Sequence, residues 1–393
     1  MNKLLLLLSL VLMIALFAAC ETNVSVDATD IGTSNEVGDV FIVIVHPSDE
    51  LQGSGGHSPF TNILRDNNIP ESNVTQAYSS LFLGFAVRLT TTQFNSLNQD
   101  KRVITIERDQ EYFLIDDLIS IDNESGKNPE LQSQSTPWGI TSVGGFVTAN
   151  SNTGVAWVVD TGIDLDHLDL NVNLDLSKTF VNRGDDAKSA NDLHGHGTHV
   201  AGTIAAINNN YGVVGVCAGA SLIAIKVLDL KGSGLISEIV AGLDYIGNNL
   251  VSGKTNVVNI SLGGGASTTL DNAVKSLASK GAYLIIAAGN SRKPASNYSP
   301  ARVDATNVFT ISAFDNKGTF ASFSNYGNPP IDYAAPGVSV QSTYKDGNYA
   351  TMSGTSMSTP HVSGIVLAND GTINWNGTVK NDKDKTPDKK AVR

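Results

Sequence analysis

Three separate segments of the chain carry residue types that together perform nucleophilic chemistry. Asp160 follows an apolar run at residues 155–159 that predicts a β-strand, whereas His196 and Ser356 each lie at the start of a predicted helix. A serine hydroxyl is a weak nucleophile until a base removes its proton. A neutral histidine accepts that proton near pH 7, and a buried aspartate holds the histidine tautomer and stabilises the imidazolium. These residue types predict acyl transfer through Ser356.

The negative charge that develops on a carbonyl oxygen during acyl transfer needs hydrogen-bond donors. Ser356 opens a predicted helix, so its backbone N–H and the helix dipole favour an anion there. Asn290 follows the predicted strand at residues 283–288. Its side-chain amide is the expected second donor of an oxyanion hole.

The elements that must position these residues alternate along residues 133–372. Predicted strands cover 155–159, 222–228, 257–262, 283–288 and 308–313, and predicted helices cover 198–207, 237–249 (with Ser237 as its N-cap), 270–280 and 355–368. This alternation predicts an α/β domain with a mostly parallel central sheet and helices on both faces. Such sheets bind ligands at the carboxyl ends of their strands, where Asp160 and Asn290 are expected.

A smaller unit precedes this domain. Residues 38–112 contain predicted strands at 40–45, 74–78, 82–89 and 103–106 and predicted helices at 59–67 and 91–98. The order βαββαβ predicts a ferredoxin-like α+β fold. Residues 113–132 are rich in Asp, Asn, Gly and Pro and predict an exposed linker, although they begin with an apolar patch. Residues 373–393 are rich in Lys and Asp and predict a polar tail, with a short hairpin of Ile373, Trp375 and Val379 over the core edge as the alternative.

Charge and cysteine content exclude several classes of protein. The chain has 393 residues and a formal net charge of −12, which argues against a nucleic acid partner because phosphate binding needs a positive surface. It has 2 cysteines, Cys20 and Cys217, and Cys20 ends the targeting segment. A disulfide framework is therefore excluded. The chain is expected to be a monomer.

Residues 1–20 predict an export signal. Lys3 precedes an apolar run that is short for a transmembrane helix, and Ala18-Ala19-Cys20 follows the run. This ending resembles a bacterial lipoprotein signal, which implies lipidation of Cys20 and anchoring at a membrane surface of the cell envelope. An ordinary signal, cut nearby, and full secretion are the alternative. Residues 21–37 are polar and predict a flexible tether.

The three segments around the reactive residues resemble the subtilase family. The segments are Val158-Val159-Asp160-Thr161-Gly162-Ile163-Asp164, Gly195-His196-Gly197-Thr198-His199-Val200-Ala201-Gly202 and Gly354-Thr355-Ser356-Met357-Ser358-Thr359-Pro360. The resemblance covers about residues 38–368 and implies a serine endopeptidase with a triad of Asp160, His196 and Ser356. Asn290 matches the family's oxyanion-hole asparagine.

The same resemblance implies how polypeptide substrates bind. Ser261, Leu262, Gly263 and Gly264 match the edge segment that pairs with an extended substrate, and Ala287, Ala288 and Gly289 match one wall of the primary specificity pocket. Glycine permits close approach of the substrate backbone. Small wall residues leave room for a large apolar or aromatic side chain next to the cleaved bond.

The first unit resembles the inhibitor-type propeptide of that family, notably at residues 40–45, 83–87 and 103–107. Such propeptides assist folding, occupy the cleft as intramolecular inhibitors and are removed by the enzyme itself. By the same resemblance, the mature chain begins near Ser133.

A structural calcium ion is also implied by the resemblance. The loop at residues 207–213 matches one that binds calcium through main-chain carbonyls and one Asn oxygen, and two further side chains complete the set; the ligands are Gln134, Asp169, Ile207, Asn209, Tyr211 and Val213. Oxygen ligands of this kind suit calcium. A polar loop without metal is the alternative. Catalysis itself needs no cofactor.

Other functions remain open at this point. The chain is an active endopeptidase, a catalytically silent binding protein on the same scaffold, or an anchor whose only substrate is its own propeptide. Asp160, His196, Asn290 and Ser356 are all present, which favours the first. His199 lies three residues after His196, but without a matching carboxylate or cysteine cluster it is expected to be a packed structural residue.

Overall fold

The computed structural model describes residues 38–47, 60–114 and 133–393, and the backbone of residues 118–121. The expected signal at residues 1–20, with Cys20, and the tether at 21–37 lie outside the described residues. So do residues 115–117 and 122–132 of the expected linker. Within the described part of the chain, no helix is long and apolar enough to cross a membrane.

The first unit is a four-stranded antiparallel sheet covered by two helices, which confirms the predicted ferredoxin-like fold. Its elements are β1 (Val40–Val45), α1 (Thr61–Asp66), β2 (Val74–Tyr78), β3 (Gly84–Arg88), α2 (Thr91–Leu97) and β4 (Val103–Arg108), and the strand order is β2-β3-β1-β4. Thr90 caps α2 in a capping box with Gln93.

Strand β1 is buried on both faces, which explains its uninterrupted apolar sequence. Phe41, Val43 and Val45 pack in the unit's own core. Ile42 faces the opposite way and joins the core of the larger unit. The first unit is therefore packed against the second through the open face of its sheet.

The second unit contains the remaining elements. Its strands are β5 (Glu111–Leu114), β6 (Leu118–Ile121), β7 (Val147–Thr148), β8 (Val155–Asp160), β9 (Lys178–Thr179), β10 (Cys217–Ala218), β11 (Ser221–Lys226), β12 (Ser233–Leu235), β13 (Asn256–Ile260), β14 (Leu262–Gly263), β15 (Tyr283–Ala287), β16 (Val308–Phe314), β17 (Ile331–Pro336), β18 (Val340–Tyr344), β19 (Asn348–Ser353), β20 (Asn374–Thr378) and β21 (Lys389–Val392). Its helices are α3 (Trp138–Ser142), α4 (His196–Ala205), α5 (Ile236–Asn249), α6 (Thr268–Ser279) and α7 (Thr355–Ala368).

Nine strands form the central sheet, in the order β20-β21-β17-β16-β15-β13-β8-β11-β9. All neighbouring pairs are parallel except β20 with β21. Along β8, Trp157 and Val159 pack against α5 and α6 on one face, and Ala156 and Val158 pack against α4 and α7 on the other. The predicted sheet with helices on both faces is confirmed.

Residues 373–393 do not form the polar tail that their composition predicts. They form β20 and β21, and β21 joins the central sheet as a parallel neighbour of β17. Val379 and Ala391 are buried, and so is Asp388, at 2% exposure. The prediction of a tail was wrong, and the segment forms an antiparallel strand pair, as in the hairpin alternative. Strands at the margin of a sheet need few apolar residues, because their stability comes from the ladder and from a few contacts with the core.

The expected linker at residues 113–132 also begins as ordered structure. Phe113 and Leu114 belong to β5, which lies between β12 and β14 in a three-stranded antiparallel sheet. Residues 118–121 form β6, which pairs with β19. The apolar patch at the start of this segment thus belongs to two short strands: β5 lies between two strands of the second unit, and β6 pairs with the outer side of β19.

Candidate active site

Asp160 and His196 are in direct contact. Asp160 is the last residue of β8 and is fully buried. Its Oδ1 lies 2.7 Å from Nδ1 of His196, the first residue of α4, and accepts the backbone N–H of Thr161 at 2.7 Å. The carboxylate therefore holds the imidazole with Nδ1 toward the sheet, which leaves Nε2 as the basic nitrogen.

A glycine makes this helix start possible. Gly195 is the N-cap of α4 with a φ of 112°, a backbone conformation that side chains other than glycine rarely adopt. A Cβ atom at this position would lie 2.3 Å from the ring of Tyr344. The glycine that precedes His196 in the sequence is thus required for the histidine to lead the helix.

Ser356 is the second residue of α7 and lies beside the edge segment that includes β14. Its Oγ donates to the carbonyl oxygen of Ser261 at 3.3 Å, and the Ser261 hydroxyl donates to the carbonyl oxygen of Ser356 at 3.1 Å. Helix α7 packs directly on α4. The two helices that begin at the predicted base and at the predicted nucleophile are therefore held together by the core.

The side chain of Asn290 is oriented by the residue before Ser356. Its Oδ1 accepts both the backbone N–H and the hydroxyl of Thr355, each at 2.9 Å. Because both partners are donors, the amide oxygen faces α7 and the NH2 group lies on the other side. Asn290 therefore presents a donor next to the start of the nucleophile helix, as an oxyanion hole requires.

Asn325 supports this loop, although no sequence motif predicts it. Its Nδ2 donates to the carbonyl of Ala288 at 2.8 Å, and its Oδ1 accepts the backbone N–H groups of Ser291 and Lys293, each at 3.0 Å. These bonds fix the backbone on both sides of Asn290. No local pattern marks Asn325, because its partners are more than 30 positions earlier in the chain.

The predicted substrate-binding residues lie along one groove. A pocket is lined by Gly263, Gly264, Ala287, Ala288, Gly289 and Asn290, together with Ser291, Tyr298, Ala301 and Asn325, which were not predicted. Leu262 belongs to β14, and Ser261 precedes it and bonds to Ser356. The opposite edge, β12, was also missed, although the sequence Gly232-Ser233-Gly234 has the glycine content of a backbone-binding edge.

Strand β5 of the same chain lies in this groove. Leu114 pairs with Leu262 on one side, and Tyr112 pairs with Gly234 on the other. The Tyr112 ring is fully buried and lies so close to Gly264 that a Cβ there would be 2.7 Å from it. The Tyr112 hydroxyl donates to the carbonyl of Gly265. The groove thus holds an extended peptide between two strands.

Two carboxylates fasten the first unit to helix N-termini of the second. Glu107 accepts the backbone N–H and the hydroxyl of Thr269 at 2.9 and 2.7 Å in the first turn of α6. Asp109 accepts the N–H and the hydroxyl of Ser237 at 3.0 and 2.6 Å in the first turn of α5, and burial raises the pKa of Asp109 to about 6. Negative charge is favourable at these positions. The prediction that Ser237 is the N-cap of α5 was therefore wrong. Leu235 occupies the N-cap, and Ser237 donates hydrogen bonds to the first unit.

The six expected calcium ligands are brought together. Ser133 and Ser135 form β-bridges with Tyr211 and Val213, which places Gln134 against the loop. Asp169 is fully buried, and it accepts Nδ2 of Asn209 at 2.8 Å and the N–H of Val213 at 3.1 Å. Its carbonyl accepts the N–H of Ile207 at 2.9 Å.

The chemistry of this cluster fits a calcium ion. Its candidate donors are all oxygen atoms, as calcium prefers. Burial raises the pKa of the Asp169 carboxyl to about 6, and the hydrogen-bond partners that oppose this rise are neutral groups of Val213, Asn209, Tyr349 and Ile207. A bound cation would offset the cost of burying that carboxylate.

His199 is packed in the core. Its Nε2 donates to the carbonyls of Val340 and Ala350 at 3.0 and 3.1 Å. Burial, with a smaller effect of the neighbouring His196, lowers the pKa of His199 to about 3. A histidine that is neutral and bonded to two carbonyls in this way supports the helix that carries His196. His361 is likewise buried, with a pKa lowered to about 4 by burial.

The fold and the site together are those of an α/β serine hydrolase with the first unit packed on it and strand β5 in its groove. A profile of the subtilase family matches residues 150–376, and a profile of peptidase inhibitor I9 matches residues 45–114. The chain belongs to the subtilase family and is a serine peptidase.

Relatives and solved structures agree. The M-protease of Shouchella clausii (strain KSM-K16) is 41% identical over 285 residues, which cover 71% of this chain and 67% of that protein. Subtilisin Savinase of Lederbergia lenta is 46% identical over 237 residues, which cover 59% of this chain and 83% of that protein. A crystal structure of a cold-adapted subtilisin-like serine proteinase superposes with a TM-score of 0.54 at 32% identity and covers 65% of this chain and 97% of its own.

Proposed function

We propose that the protein is an exported serine endopeptidase that hydrolyses exposed peptide bonds through an acyl-enzyme on Ser356 and removes its own propeptide. The observation that carries this proposal is the Asp160–His196 hydrogen bond of 2.7 Å, beside a groove that holds an extended strand of the same chain. Asp160, His196 and Ser356 act as the triad, and Asn290 supplies the oxyanion donor.

The proposed reaction has two halves, acylation and deacylation of Ser356, and the same residues act in both. His196 takes the proton of the Ser356 hydroxyl while Oγ attacks the scissile carbonyl carbon, and Asp160 stabilises the imidazolium. The NH2 of Asn290 and the N–H of Ser356 bind the oxyanion. The imidazolium then gives its proton to the leaving amine, which departs from the acyl-enzyme. Water, deprotonated by His196, attacks the ester and releases Ser356.

The proposed inhibitory role of the first unit rests on β5, the strand that follows this unit in the chain and joins a sheet of the second unit. Its backbone pairs with both edges of the groove, and Phe113 and Leu114 line the pocket next to Asn290. Glu107 and Asp109 add charge-assisted bonds to two helices. A polypeptide substrate must displace this strand, so the uncut chain is expected to be inactive toward other proteins.

Calcium binding by Gln134, Asp169, Ile207, Asn209, Tyr211 and Val213 is part of the proposal. The ion would bind the folded chain alone and raise its stability with concentration. Thermal unfolding of Ser356→Ala protein is expected to shift upward with added calcium. The Asp169→Asn variant is expected to lose that shift, and an equal shift in both proteins would exclude this site.

The proposed location is the bacterial cell envelope, with lipidated Cys20 as the anchor and a monomeric chain on the membrane surface. This part rests on the sequence Ala18-Ala19-Cys20. Metabolic labelling with a fatty acid, on the parent and on Cys20→Ser, tests it. Label on the parent alone supports the anchor, and a soluble, unlabelled parent contradicts it.

The test of the enzymatic proposal compares residues 21–393 with the Ser356→Ala form, both with calcium. Chain size is followed on gels, and a fluorophosphonate probe marks the reactive serine. The parent is expected to shorten and to label, whereas Ser356→Ala stays long and unlabelled. If both stay long and unlabelled, trace mature protease is added to remove the propeptide. A folded parent that is still unlabelled then contradicts the proposal.

A further inference from the structure

A buried lysine lies beside the candidate catalytic aspartate and has no part in the reaction described above. Lys226 ends strand β11, and its backbone position is paired with Asp160 at the end of the neighbouring strand β8. Its side chain is 0% exposed. A lysine is almost never fully buried unless its charge is paired, so this position requires an explanation.

The ammonium group of Lys226 has three partners, two through hydrogen bonds and one through an ion pair. It donates to the carbonyl oxygen of Thr161 and to that of Leu228, the latter at 3.0 Å. Its third partner is Oδ1 of Asp186 at 2.8 Å, on a side chain that is 3% exposed. The other oxygen of Asp186 accepts the backbone N–H of Leu230 at 3.0 Å. The ion pair is therefore enclosed, and the Oδ1 that faces Lys226 has charge attraction but no hydrogen bond.

The partner that matters is Thr161, which follows Asp160. The N–H of Thr161 donates to Oδ1 of Asp160 at 2.7 Å, the same oxygen that bonds to His196. The carbonyl of Asp160 accepts the N–H groups of Val227 and Leu228 at 3.0 and 3.2 Å. The carbonyl groups of Asp160 and Thr161 are thus both held by residues 226–228. The backbone of Val227 and Leu228 bonds to the first, and the side chain of Lys226 bonds to the second.

The hydroxyl of Thr161 closes the arrangement on the other side. It donates to Oδ1 of Asp192 at 2.9 Å and accepts the N–H of Gly197, next to His196, at 3.0 Å. The turn after Asp160 thus contacts the start of the helix that carries His196. A shift of Thr161 would move the donor on the carboxylate and the first turn of that helix together.

We infer that Lys226, paired with Asp186, is a positioning residue: it holds the Thr161 turn so that the Asp160 carboxylate keeps its geometry toward His196. This inference rests on the proposed role of Asp160. Lys226 does not touch substrate. Its contribution is to fix the Thr161 N–H that donates to the Asp160 carboxylate. This position matters because a misplacement near 1 Å of such a group costs on the order of 100-fold in rate.

The test compares three variants with the parent enzyme. Lys226→Met alone leaves Asp186 buried without its ionic partner, which can prevent folding. The double variant Lys226→Met with Asp186→Asn removes both charges and keeps the shapes. Lys178→Met, an exposed lysine on the neighbouring strand β9, is the control. Each processed enzyme is assayed for kcat and KM on a chromogenic peptide between pH 5 and pH 10, and for thermal unfolding.

The double variant is expected to lose about 10- to 100-fold in kcat with a KM within about twofold of the parent. The acid limb of its rate profile is expected to move to higher pH. Weaker donation to Asp160 leaves more negative charge facing the imidazolium, so the pKa of His196 rises and neutral imidazole forms later. Lys178→Met is expected to match the parent in all three readouts.

A purely structural pair would give a different result. The inference is overturned if the double variant loses thermal stability but keeps the parent's kcat within twofold and an unmoved acid limb. A parent enzyme without activity would instead overturn the proposed function, and this inference with it. The activity of the parent enzyme therefore shows whether the proposed function has failed or only the inference about Lys226.

Discussion

Leu114 pairs with Leu262 in the groove. Leu262 directly follows Ser261, whose carbonyl oxygen accepts a hydrogen bond from the Ser356 hydroxyl at 3.3 Å. The last described residue of β5 thus pairs with the chain neighbour of the residue that contacts the candidate nucleophile. This relationship connects the propeptide to the reaction, because β5 pairs with the segment that contacts Ser356.

We therefore expect the first self-cleavage within a few residues after Leu114, well upstream of Ser133. A mature chain that begins near Ser133 then requires a second cut. Mass spectrometry of the processed products at early times checks the order, with Ser356→Ala as the uncut control. A first product that already begins at Ser133 would contradict the expected order.

Asp160→Asn is expected to lower kcat by roughly 10⁴-fold with little change in KM, because an amide can hold His196 in the wrong tautomer. Steady-state kinetics on a peptide substrate measures this. Asp166→Asn is the matched control, since Asp166 is exposed in the loop that follows the same strand. Equal losses in the two variants would show that the effect is not specific to the contact with His196.

Asn325→Ala is expected to act through Asn290. Loss of an oxyanion donor in Asn290→Ala lowers kcat by roughly 10²- to 10³-fold. Asn325→Ala is expected to lower kcat less, because it loosens the backbone around Asn290 but keeps the amide. The double variant is expected to resemble Asn290→Ala alone, since the two residues act as a unit. Losses in kcat that multiply would show that Asn325 acts independently.

The buried Asp388 is expected to make stability depend on pH. Burial, with smaller effects of Asp382 and Asp384, raises its pKa from 3.8 to about 7. A carboxyl whose pKa is higher in the folded chain favours folding below the unfolded value, and this contribution is lost as pH rises to about 7. The difference corresponds to roughly 4 kcal/mol at most.

Asp388→Asn removes the ionisable group and keeps partners for Ser312 and Asn328. In a Ser356→Ala background, the variant is expected to unfold at a higher temperature than its parent at pH 8 and at a similar or lower temperature at pH 4. Calorimetry at the two values measures this. A variant that is less stable at both would show that Asp388 is favourably ionised in the fold.

The sequence by itself identified the candidate residues for the chemistry and determined which kind of fold holds them. Asp160, His196 and Ser356 lie in patterns that nearby residues specify. Asp160 follows an apolar strand, and His196 and Ser356 lie where a glycine precedes the start of a helix. The alternation of strands and helices likewise fixed the parallel sheet, because periodicity is a local property of the chain.

Only the tertiary structure decided how distant segments serve the site. Asn325 fixes the loop of Asn290, β5 enters the groove between β12 and β14, and β21 completes the sheet edge from a chain end that composition alone describes as polar. Lys226 also looks ordinary until its three partners are seen. In each case the stabilising contacts join residues far apart in the chain, and their free energy depends on burial and geometry that no local pattern contains.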